Sequence, residues 1–94
     1  MERVDFTLGE KKYVCISVTS TNGRPFDISR ARYRLKNGDE EEAAGECVIE
    51  QICDQTTVLS ALIQPQIKCA TYTLEYEYEI SPEILKYEVK VKVS

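Results

Sequence analysis

The chain contains no histidine and no tryptophan, and its 94 residues include only three prolines and four glycines. Without histidine, neither a Ser-His-Asp nor a Cys-His arrangement can be assembled. The usual nitrogen ligand of zinc is missing as well. The closest cysteine pair, Cys47 and Cys53, lacks the tight spacing of a structural metal site. The glycines, at 9, 23, 38 and 45, stand apart and build no phosphate-binding loop. No apolar run approaches the roughly 20 residues that cross a bilayer as a helix. Basic residues are outnumbered, twelve against sixteen acidic ones, for a net charge of -4. That balance speaks against a nucleic-acid-binding domain and against attraction to anionic lipid. No catalytic residue, cofactor or metal site is expected, and no nucleic acid or membrane among its partners.

What is present suits a globular protein: 43% of the residues are hydrophobic and 30% charged. The length fits one domain, residues 1–94, whose core can fold without a metal or disulfide. Tyrosine supplies six of the aromatics and phenylalanine two, which tilts the composition toward half-buried strands. The N-terminus, MERVDFTLGEKK, lacks the apolar stretch of a signal peptide. A reducing compartment is therefore expected, where Cys15, Cys47, Cys53 and Cys69 act as small hydrophobes. In an oxidising one, two of them could pair across strands.

Period-two alternation is clearest at the C-terminus. Tyr72, Leu74, Tyr76, Tyr78 and Ile80 alternate with Thr73, Glu75, Glu77 and Glu79. After a turn at Pro82, Leu85, Tyr87, Val89, Val91 and Val93 alternate with Lys86, Glu88, Lys90 and Lys92. An antiparallel hairpin that places the Glu row against the mostly Lys row satisfies both patterns. Three further strands follow the same logic. Val4, Phe6 and Leu8 line the first, and Val14, Ile16 and Val18 the inner face of the second. Ala31, Tyr33 and Leu35 alternate with the basic row Arg30, Arg32, Arg34 and Lys36. Residues 57–63, TVLSALI, form another short strand before Pro65.

The segment 39–55 admits two readings. Asp39 as N-cap with Glu42 at the third position would start a short helix presenting Ala44, Val48 and Ile52 on one face. Gly45 weakens that helix by up to about 1 kcal/mol relative to Ala. The rival is an acidic loop ending near Gly45, followed by a short strand from Cys47 to Ile52, and the β character of the chain favours it. With turn signals at these spacings, the expected fold is all-β, an antiparallel immunoglobulin-like β-sandwich of about seven strands.

Few groups invite a chemical reading. Glu75, Glu77 and Glu79 could resemble a carboxylate pair for glycoside hydrolysis, but a charge ladder for register explains them better. The acidic run from Asp39 to Glu42 lacks the spaced ligands of a calcium loop. Arg30, Arg32, Arg34 and Lys36 either pair with acidic neighbours across the sheet or form a docking surface for an acidic partner. Tyr72, Tyr76 and Tyr78 fall on the expected core face.

The stretch SVTSTNGRPFDISRARYRLK, residues 17–36, breaks its alternation at Asn22-Gly23 and resumes after Pro25. Asn22 and Gly23 suit a tight turn and Pro25 fixes the chain leaving it. Asp27 or Ser29 can bond neighbouring backbone at the corner.

Gly23, Pro25, Asp27, Ile28, Ser29 and Ala31, between two alternating strands, resemble bacterial and phage immunoglobulin-like domains, in particular the N-terminal domain of phage baseplate upper proteins. The strand opened by Tyr72-Thr73-Leu74-Glu75-Tyr76 and the final LKYEVKVKV are similar to the last strands of such domains. Arg30 and Lys68-Cys69-Ala70 stand where that family usually carries glycine. The resemblance implies a non-catalytic structural module of a phage or prophage tail, baseplate or fibre. Such a module would be made in the bacterial cytoplasm, enter the virion, and act through a protein partner or self-association. The first and last strands are the expected contact edges. The alternative is an immunoglobulin-like binding or spacer domain of a bacterial surface or secreted protein, part of a longer chain.

Overall fold

A computed structural model describes residues 2–20, 26–80 and 82–94. Eight strands run in chain order: β1 (Glu2–Phe6), β2 (Lys12–Thr19), β3 (Arg30–Asn37), β4 (Glu40–Glu46), β5 (Val48–Cys53), β6 (Thr56–Ile63), β7 (Thr71–Ile80) and β8 (Glu83–Val93). They form two sheets, one ordered β1-β8-β7-β3-β4 and the other β2-β6-β5. All neighbours are antiparallel except β1, which runs parallel to β8 with Glu2 opposite Val89 and Phe6 opposite Val93.

The core lies between the sheets and is built by alternation. From the larger sheet, Leu35, Tyr72, Leu74, Tyr76, Val89 and Val91 are fully buried; from the smaller, Leu59 and Ala61 are. Two tyrosines tie the layers together. The Tyr76 hydroxyl donates to the Val14 carbonyl at 2.6 Å, and the Tyr33 hydroxyl to the Leu62 carbonyl at 3.1 Å. A buried phenol is stable only with such a partner, and here the partner is backbone of the opposite sheet.

The expected strands at 30–36, 57–63, 72–80 and 85–93 are present, and several expectations need correction. The described residues form eight strands, not about seven. Residues 39–55 hold no helix, and the acidic loop of the rival reading is strand β4, hydrogen-bonded to β3. Gly38 turns the chain at φ 63°, a conformation that glycine adopts without strain, and starts that hairpin. Gly45 then lets the Tyr33 ring pass closely: a Cβ there would stand 3.0 Å from the Tyr33 hydroxyl oxygen. Cys47 points into the core and its N–H donates to the Ala31 carbonyl, where the chain crosses to β5.

Leu8 is not a strand residue. β1 ends at Phe6, and Leu8 lies exposed in the following turn, its N–H donating to the Ser94 carbonyl. The hairpin β7–β8 sets its two polar rows side by side as expected, but they yield a single Glu–Lys pair. Glu77 alone faces a lysine, Lys86; Glu75 faces Glu88, and Lys90 and Lys92 face Thr73 and Thr71. Leu85 and Tyr87 lie on the inward side of β8, yet the smaller sheet does not cover them, and Tyr87 is 37% exposed. The last strand is also not an edge along its second half, because β1 occupies it from Val89 to Val93.

Candidate functional site

The two outer faces of the sandwich differ in chemistry. On the larger sheet, β3 and β7 pair so that Arg30, Arg32 and Arg34 stand opposite Glu79, Glu77 and Glu75. The Glu row of β7 therefore meets the basic row of β3 along its length, and that of β8 only where Lys86 faces Glu77. Arg32 donates to Glu77 at 3.1 Å, Arg30 lies 3.8 Å from Glu79, and Lys36 lies 3.7 Å from Glu75. Arg34 turns to β4 and pairs with Glu41 at 3.6 Å. All four basic residues singled out from the sequence are thus brought into one row, and each is matched by a carboxylate of the same sheet. Arg32, helped by Lys86 and Arg34, holds the Glu77 carboxyl below the usual carboxylate range. A shallow depression of about 100 Å³ lies beside Arg30, Arg32, Glu46, Glu77 and Ile84. Arg30 and Arg32 are engaged there by Glu79 and Glu77.

Around the corner segment, Ser29 bonds not the neighbouring backbone but Glu79 of β7, the strand beside β3. Its N–H and hydroxyl both reach the Glu79 carbonyl, at 3.0 and 3.3 Å, and the hydroxyl also donates to the Glu79 carboxylate at 2.9 Å. Asp27 is exposed, while Ile28 is buried against the core. The turn residues Asn22, Gly23 and Pro25 lie outside the described residues.

Glu42 has a role that sequence reasoning missed. At the β-bulge where β4 slips against Leu35 and Lys36, its carboxylate accepts from the Tyr72 hydroxyl at 2.7 Å and from the Gln66 N–H at 3.3 Å. The Tyr72 hydroxyl in turn accepts from the Ile67 N–H at 3.1 Å. Burial first, then the Glu42 carboxylate, pushes the Tyr72 phenol up from its ordinary value. Tyr78 is shifted up as well, by burial and then by Tyr87. The only advance signal was the isolated pair of a run of glutamates and a tyrosine opening a strand, which does not specify a contact.

The smaller sheet presents a neutral face. Strand partners share a side, so Tyr13 and Leu62, then Cys15, Ser60 and Val48, then Ser17, Val58 and Glu50 form its outward rows. Tyr13 is 56% and Val48 54% exposed, and Glu50 is the single charge among them. Strand β5 borders this face as a free edge, exposed along its whole length, with Ile49 and Ile52 open to solvent.

All four cysteines are free. Burial pushes the Cys47 thiol up to about 11, whereas hydrogen bonding to the Gln55 backbone draws the exposed Cys53 thiol down. Among the described residues, no group of three or more Cys, Asp or Glu side chains is arranged to hold a metal ion. No helix there is long and apolar enough to cross a membrane. Compared with known protein families, curated proteins and solved structures, the chain finds no match in any of the three.

Proposed function

We propose that this chain is a non-catalytic immunoglobulin-like module that builds a larger protein assembly, a phage or prophage tail, baseplate or fibre. The carrying observation is the contrast between its faces. One is closed by its own ion pairs, whereas the other exposes Tyr13 and Val48, with Leu62 half-buried beside Tyr13, next to a free apolar strand edge. Exposed apolar side chains beside an unpaired strand edge suit a protein contact.

The immunoglobulin-like reading draws support from the strand order. Taking β2, β6 and β5 as strands B, E and D leaves β8, β7, β3 and β4 as G, F, C and C′, with β1 laid parallel to G. A tyrosine near the start of strand F that bonds backbone a few residues upstream is a hallmark of such sandwiches, and Tyr72 accepts from Ile67 in that way. The phage attribution rests on the resemblance of the corner segment, whose Ile28 and Ser29 hold core and sheet contacts.

The test is fractionation. In the cells that encode it, the chain should be recovered by quantitative mass spectrometry in density-purified particles, at a fixed ratio to the other particle proteins. Recovery at the cell surface, or only as free protein, overturns the virion reading.

A further inference from the structure

We draw no further inference here: the strongest candidate, the neutral outer face of the smaller sheet with exposed Tyr13 and Val48 beside the free edge of β5, carries nothing, because nothing in the structure shows what covers it.

Discussion

The Tyr72 hydroxyl donates to the Glu42 carboxylate at 2.7 Å and joins β7 to a bulge in β4, two strands that are not neighbours in the sheet. The same oxygen accepts from Ile67, so one buried ring secures both the edge strand and the segment leading into β7. A hydrogen bond with a charged acceptor contributes about 1.5–3 kcal/mol, and the exposure of Glu42 argues for the lower end. Tyr72→Phe and Glu42→Ala should each lower unfolding free energy by about 1–2 kcal/mol. A double-mutant cycle by urea denaturation should return a coupling of about 1 kcal/mol, and a coupling near zero would refute the contact.

How much of this was written in the sequence depended on the range of the interaction. Period two placed β3, β7 and β8 because each buries one face, and residues such as Leu35, Leu74 and Val89 repeat on it. The run Glu40–Glu46 shows no such alternation. It is a strand because β3 supplies its ladder and Arg34 offsets its charge, both conditions set by distant residues. The same limit misassigned the Glu row of β7. A hairpin partner is local and visible, whereas the pairing of Arg32 with Glu77 joins segments whose register the sequence does not state. The neutral face was illegible for a similar reason, since Tyr13, Val48 and Leu62 meet only when β2, β5 and β6 form one sheet.

Cys69 occupies a conformation with φ 59° in the turn before β7. Left-handed backbone costs an ordinary L-residue about 1–2 kcal/mol, and glycine avoids that cost while losing some chain entropy on folding. Cys69→Gly should therefore raise stability by about 1 kcal/mol, read as a higher urea midpoint at unchanged slope. Cys69→Ala, which keeps the Cβ, should give no such gain.

Gly45 presents the opposite case, a glycine required by a neighbour. Its missing Cβ leaves room for the Tyr33 ring, whose hydroxyl reaches Leu62 in the other sheet. Gly45→Ala should push that ring away and lower stability by about 1–3 kcal/mol. In the Tyr33→Phe background, where the hydroxyl is gone, the same substitution should cost less. Equal costs in the two backgrounds would show that the hydroxyl contact does not matter.

The charge ladder predicts an acid dependence centred on Glu77. Its folded-state carboxyl lies below the unfolded value of 4.5, first through the Arg32 hydrogen bond. Its contribution is thus complete above the unfolded value and is lost as pH falls through the lowered folded one. The stability difference between wild type and Glu77→Gln should be present at neutral pH and vanish in acid. Because the pair is solvent-exposed, added salt should shrink it too. A difference that is flat from neutral pH into acid would show that the ladder contributes no net charge stabilisation.

Cys47 predicts the alkaline counterpart. Burial raises its thiol to about 11 from 9.0, because a thiolate in the core would lose its hydration without gaining a partner. A folded-state value raised in this way gives stability that is complete below 9.0 and is lost as pH rises through 11. Cys47→Ala should cost about 1 kcal/mol at neutral pH, from the small cavity that it leaves. It should also flatten the fall in stability through that alkaline window. A chromogenic disulfide reagent supplies the second reading: Cys15, Cys53 and Cys69 are exposed and should react at once, while Cys47 should wait for unfolding. If Cys47 is modified as fast as the others in the native protein, the crossing from β4 to β5 opens readily and the core does not close over it.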